Sequence, residues 1–244
     1  INQIKLAANE SEKSFKLFID DITSDVWNKL CTKDIEIVIH LAAQAGVRYS
    51  IENPRAYLES NIIGFQSVLD FVISLENDVK FIYASSSSVY GKSASQPFTE
   101  TADCNSPESY YAATKKANEL MASSYYKTSK LSSVGLRFFT VYGPWGRPDM
   151  AYFRLIEAAI NGTNFTKFGG GEIKRDFTFV DDITSMIESL NRQLSETPKG
   201  HSDVVNIGGG KPYSLNNLIE IITSKSDSKL NMKVEESNPN DTKY

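Results

Sequence analysis

Short apolar runs alternating with longer stretches of helical period constrain this chain more than any other feature. Four runs have the length and Val/Ile content of strands, at residues 35–41, 80–84, 133–139 and 204–207. Helices are predicted over about 55–75, 110–129, 152–161 and 182–194. Pro54 stands at the start of the first, where its missing N–H breaks no helix hydrogen bond. Strands that are apolar on both faces must be covered on both faces, and strands separated by helices pair in parallel. The expected fold is therefore α/β, a doubly wound parallel sheet. After about Pro144 the alternation loosens into short strands and glycine-rich turns. That shift predicts two interleaved halves: 1–145 with the main sheet, and 146–244 as a smaller C-terminal lobe whose strand near 204–207 returns to the sheet.

Composition narrows the function classes. With 41% hydrophobic residues in 244, the chain has material for a sizeable core. Its 26 Lys+Arg against 30 Asp+Glu give a net charge of −4, with no basic run, which argues against nucleic acid and anionic membrane as partners. No apolar run approaches the roughly 20 residues of a membrane-spanning helix. Cys31 and Cys104 form no CxxC, so neither a disulfide framework nor a structural zinc site is expected, and a reduced, cytoplasmic compartment fits. His40 and His201 read as structural, and no metal-ligand constellation is visible. The chain opens on Ile1 and its residues 237–244 read as loop, so the expectation is a piece of a longer polypeptide.

In sheets of this kind ligands bind beyond the carboxyl ends of the strands. The segments there are Ala42-Ala-Gln-Ala-Gly-Val-Arg48, Ser85-Ser-Ser-Ser-Val-Tyr-Gly91 and Thr140-Val-Tyr-Gly-Pro-Trp-Gly-Arg147, all rich in small residues, hydroxyls or arginine. Singly each is also a tight turn; together they predict a cleft. Tyr111-Ala-Ala-Thr-Lys115 places a phenol and an ammonium on one helix face. A phenol is a poor base at neutral pH, but a nearby cation stabilises its phenolate, which can then take a proton from a substrate hydroxyl while hydride leaves the same carbon. Tyr126 and Lys130 share the spacing yet lack an upstream serine cluster, and read as a solvated pair. For residues 85–88 the plainer alternative is a serine-rich turn. Gly169-Gly-Gly171 reads equally as a phosphate-binding loop or a hairpin turn.

These motifs carry a resemblance. The runs His40-Leu-Ala-Ala-Gln-Ala-Gly-Val-Arg-Tyr-Ser50, Tyr83-Ala-Ser-Ser-Ser-Ser-Val-Tyr-Gly91 and Tyr111-Ala-Ala-Thr-Lys-Lys-Ala-Asn-Glu119 occur in order, followed by the segments 137–150 and 175–182. From about Phe15 to Asp241 the chain resembles the extended short-chain dehydrogenase/reductases, within them the NAD-dependent epimerase/dehydratase family and its UDP-glucuronate 4-epimerases. The resemblance implies a Rossmann-type fold, NAD as cofactor, and 4-epimerisation of a UDP-sugar, UDP-glucuronate to UDP-galacturonate, through a transient 4-keto sugar. It makes Tyr111 the base, Lys115 the ribose-binding and pKa-lowering lysine, and Ser86 the relay hydroxyl, with Ser88 as its substitute. Asp21 and Ile22 match an adenine-contacting pair, Ala42 and Ala43 line the cofactor, and Asn61 fixes the loop behind it. Thr140 faces the sugar diphosphate, while Arg175 and Asp241 grip the nucleotide. Arg147, and second to it Arg48, would hold a C6 carboxylate through a planar fork that a hydroxymethyl group does not engage; a phosphate contact or a surface salt bridge is the alternative for Arg147. Pairing into a homodimer through 55–75 and 110–129 is also implied.

The chain departs from the family at one place. A dinucleotide fold needs a glycine-rich turn at a helix N-terminus to meet the pyrophosphate, and Gly46 is the first glycine in the sequence. The expectation is a Rossmann-type sheet lacking its first βαβ region, able to bind NAD weakly or not at all by itself. The competing readings are a UDP-glucose-type 4-epimerase, a nucleotide-sugar 4,6-dehydratase (disfavoured by Ser87-Ser88, where dehydratases carry Asp-Glu) and a nucleotide-sugar-binding module without activity.

Overall fold

A computed structural model describes residues 2–11, 13–30, 34–92, 96–197, 199–225 and 230–236. A leading helix α1 (Asn2–Glu10) and a 3-10 turn (Asp25–Lys29) precede strand β1 (Ile37–His40). Helices α2 (Val47–Glu52), α3 (Pro54–Tyr57) and α4 (Gly64–Ser74) lead to β2 (Lys80–Ser86), and α5 (Tyr110–Ser129) leads to β3 (Ser132–Phe138). Then come β4 (Thr140–Tyr142), α6 (Ala151–Asn161), β5 (Asn164–Phe168), β6 (Lys174–Phe179), α7 (Val180–Glu196), β7 (Ser202–Ile207), β8 (Pro212–Ser214), α8 (Leu215–Thr223) and β9 (Asn231–Glu235).

The main sheet has the order β1-β2-β3-β7, parallel throughout. Alternate residues of β2 serve opposite cores, as the two-residue strand period requires. Phe81 and Tyr83 pack with Phe65, Val68, Leu69 and Val72 of α4 and Ala122 of α5. Ile82 points the other way, to Val134 and Leu136 of β3, Ile207 of β7, and Ile183 and Leu194 of α7. Each large side chain buried there contributes roughly 1.5–3 kcal/mol. Tyr83 is accommodated because its register partner on β3 is Gly135; a Cβ there would stand 2.6 Å from the Tyr83 hydroxyl. Apart from the main sheet stand the sheet β4-β6-β8, the pair β5-β9, and a separate core of Leu155, Ala158, Phe165 and Ile219.

One expected helix is interrupted, and for one glycine turn the hairpin alternative is excluded. The helix predicted over 55–75 is interrupted by a widened π turn, Leu58–Ile63. That turn carries Asn61, whose amide reaches out to other elements, and it leads into Gly64, where a Cβ would lie 2.7 Å from the Ile22 side chain. Hydrophobic period does not register a single wide turn, because the apolar face continues across it. Gly169-Gly-Gly171, read as a phosphate loop or a hairpin, links β5 to β6, yet β5 pairs with β9 and β6 with β4 and β8. The turn is held instead by the Gly169 amide on the Glu235 carbonyl (2.8 Å) and by Asn216 bonded to the carbonyls of Gly171 and Gly170.

Candidate active site

The residues beyond the ends of β1 and β2 are drawn together by α5. Ser109 caps that helix, its side chain accepting from the Ala112 amide, which sets Tyr111 in the first turn. Ser86 ends β2; its hydroxyl accepts from the Ser88 amide at 3.2 Å and is near enough to the Tyr111 phenol to favour its phenolate. Lys115, 3% exposed, lies one turn further along α5, and its Nζ donates to the Ala84 carbonyl at 2.7 Å. Burial pulls this ammonium down to about 8.

The Tyr111 phenol is raised by burial, while the Ser86 hydroxyl and the Arg147 charge pull it the other way. Ser86 and Arg147 favour the phenolate, while one N–H of the Lys115 ammonium is on the β2 carbonyl. Arg147 reaches the same place from the β4–α6 loop, standing 3.4 Å from where a Cβ of Gly46 would be. It forms a two-pronged ion pair with Asp149, Nε to Oδ1 at 3.0 Å.

Asn61 fastens the loop after β1 to this cluster. Its side chain accepts from the Gln44 amide at 2.8 Å and donates to the Gln44 carbonyl and to Thr114 Oγ1, each at 3.0 Å. Ala42 and Ala43 lie in the loop so held. Tyr57, fully buried, had no signal in the sequence beyond its place on a helix; its hydroxyl donates to the carbonyls of Ala45 and Gly46, and its ring meets the Tyr111 ring edge-on at 6.0 Å.

Behind the cluster runs a buried ion pair that sequence reading also passed over. Arg137 and Glu119 meet through two bonds, Nε–Oε1 at 2.8 Å and Nη2–Oε2 at 2.9 Å. Burial alone would raise the Glu119 carboxyl, but bonds from Arg137 and Ser85 hold it below its ordinary range. Ser85 donates to Glu119 at 2.6 Å, and Arg137 Nη1 donates to the Tyr90 hydroxyl, which donates on to Asn206 of β7.

The other candidates sit on separate elements. Asp21 accepts from the Thr23 amide and hydroxyl, and the Ile22 carbonyl accepts from Ser67 of α4 at 2.6 Å. Arg48 lies over the Phe168 ring at 5.8 Å, bridging α2 and β5. Thr140, half-buried on β4, pairs in register with Phe177, and Arg175 of β6 donates to the Lys174 carbonyl at 2.9 Å. Ser88 is half-buried beside Ser86. Asp241 and Cys31 lie outside the described residues. Tyr126 is 38% exposed and Lys130 falls beyond the end of α5, unlike Tyr111 and Lys115. His40 is buried against Phe65 and Phe81, and His201 pairs with Asp203 at 2.8 Å. Among the described residues no helix is long and apolar enough to cross a membrane.

Comparison with known proteins matches residues 4–208 to the NAD dependent epimerase/dehydratase family. Protein CapI of Staphylococcus aureus is 47% identical over 203 residues, 78% of this chain and 60% of the relative. The probable UDP-glucuronate 4-epimerase of Rhizobium meliloti (strain 1021) is 42% identical over 201 residues, 77% of this chain and 59% of the relative. The UDP-glucuronic acid 4-epimerase from Bacillus cereus, solved with UDP-glucuronic acid and NAD, superposes with a TM-score of 0.83 at 34% identity, covering 99% of this chain and 76% of that one. The chain thus spans about 60% of the length of these curated relatives. With a parallel α/β sheet, the Tyr111–Ser86 pair at its carboxyl edge and these matches, the chain belongs to the NAD dependent epimerase/dehydratase family.

Proposed function

We propose that this chain carries the catalytic centre of an NAD-dependent 4-epimerase acting on a UDP-sugar, with UDP-glucuronate and UDP-galacturonate as its pair. The observation that carries the reading is the Tyr111 phenol brought by α5 beside Ser86 at the end of β2, with Arg147 close enough to act on the same phenol. The residues present fit the nicotinamide-ribose end of NAD: the buried Lys115 ammonium has three N–H donors, one on Ala84, suited to ribose hydroxyls, and Asn61 holds the Ala42–Ala43 loop against α5. When bound, NAD supplies hydride acceptance and return at C4 of the sugar.

The chain's own residues do the rest. Tyr111 takes the C4 hydroxyl proton, with Ser86 orienting phenol and sugar oxygen, and gives it back after the 4-keto sugar has turned over. Arg147 binds the C6 carboxylate, and Thr140, Arg175 and Asp241 hold the nucleotide end while the sugar turns. Asp21 and Ile22 support the adenine end from beside α4. In this reading 1–145 is the cofactor half and 146–244 the sugar half. Two copies pair through residues 55–75 and α5, a reading supported by the exposed Ile63 and Leu120, and the free, buried Cys104 suits the cytoplasm.

The test is to express the reading frame that encodes this chain and assay it with NAD and UDP-glucuronate. Formation of UDP-galacturonate is expected, and Tyr111→Phe should lower kcat about 10²–10⁴-fold, the usual contribution of a positioned acid–base group. Turnover of UDP-glucose to UDP-galactose alone, or release of a 4-keto-6-deoxy sugar, would overturn the substrate assignment.

A further inference from the structure

The Arg147 fork is already holding a carboxylate. Asp149, two residues on, takes Nε and Nη2 together, and the pair is open to solvent, with the two side chains 48% and 61% exposed. The hydrogen bonds from Arg147 keep the Asp149 carboxyl below its ordinary range. Yet this guanidinium is the one that lies over Gly46 and acts on the Tyr111 phenol. The Nε–Nη2 edge of the fork binds one carboxylate in this two-pronged way at a time. An anionic sugar can reach the same edge of Arg147 only by displacing Asp149, and an exposed pair is weak enough to be displaced.

We propose that Asp149 is a specificity-determining residue: an internal carboxylate that occupies Arg147 when the sugar carboxylate is away and gives way to it on binding. The inference rests on the proposed uronate substrate and gives the pair a role in turnover. Between the two hydride transfers the sugar must turn, so its C6 carboxylate must leave Arg147 and return. Asp149 takes the guanidinium during that interval, so the cation is never left bare and the departing carboxylate is released more easily. A hexose with a C6 hydroxymethyl group does not compete for the fork and leaves the pair closed.

The experiment is Asp149→Asn in the protein from the whole reading frame, with Asp149→Glu as the conservative control. Asparagine keeps the shape but offers Arg147 no charge to pair with. For UDP-glucuronate the expected result is a KM lower by about five- to tenfold and a kcat lower by a similar factor, because a ground-state hold has been strengthened. The KM for UDP-glucose should be unchanged, because its C6 hydroxymethyl group does not compete for the fork, and Asp149→Glu should restore the wild-type UDP-glucuronate values in part. A KM for UDP-glucuronate that is unchanged or raised in Asp149→Asn overturns the proposal. Arg147→Met separates this from the substrate reading: a KM raised for UDP-glucuronate and not for UDP-glucose upholds that reading, whereas equal effects on both defeat it and the exchange with it.

Discussion

Two arginine–carboxylate pairs, one behind the Ser85–Ser86 end of β2 and one beside Tyr111, are built for opposite ends. Arg137 and Glu119 are almost wholly enclosed, and every polar edge of the pair is met by Ser85, Lys116, Tyr90 or the Glu100 carbonyl. Arg147 and Asp149 have comparable bond geometry but lie in an open loop. Burial makes the difference. In the first pair the carboxylate and guanidinium have lost water and cannot part without leaving a bare charge in the core; in the second, water stands ready to replace either partner. The same chemistry therefore fixes Ser85 and its neighbour Ser86 in place and leaves the Arg147 cation free to exchange partners.

Breaking the enclosed pair on one side should give the largest effect. Arg137→Met leaves the Glu119 charge buried and should cost about 3–5 kcal/mol, read as a large fall in the thermal midpoint. Arg137→Met with Glu119→Leu should regain part of that loss, because no lone charge remains; a double variant as unstable as the single one would mean that packing, not charge, dominates. Acid probes the same enclosed region through His40. Its burial lowers its pKa to about 4, against 6.5 for an ordinary histidine. Between those values the unfolded chain binds a proton that the folded one excludes, so stability is full above pH 6.5 and falls as pH drops toward 4. The expected loss is about 3 kcal/mol, seen in urea midpoints, and His40→Phe should flatten the slope. The open pair should barely register in such experiments: Arg147→Met or Asp149→Asn should change stability by about 1 kcal/mol or less. A large loss there would erase the contrast between the two pairs.

What could be read from the sequence follows the same division between local and distant causes. The four strands of the main sheet appeared within two residues of their places because apolar runs report burial on both faces, and α5 was bounded at 110–129 by its helical spacing. Tyr111, Lys115 and Ser86 were legible because spacing on one helix and position at one strand end are local properties. Tyr57 and the Arg137–Glu119 pair were not, since their meaning lies in partners far along the chain: Tyr57 meets Gly46 from another helix, and Arg137 meets Glu119 across a strand and a helix. The widened turn at Asn61 was hidden for the same reason. Its partners, Gln44 and Thr114, are 17 and 53 residues away.

The return of β7 to the sheet beside β3 has a consequence for how the protein is made. Ser85, Glu119 and Arg137 have all emerged once β3 is synthesised, but Asn206, which receives the Tyr90 hydroxyl, arrives only with β7, where Ser202 pairs with Ser133. Contacts so distant in sequence form late, after the cost of closing the intervening loop has been met. A nascent chain halted before β7 would hold the tyrosine, lysine and serine while the buried arginine still lacked its last support, and the arrival of β7 is the event that completes the floor beneath them.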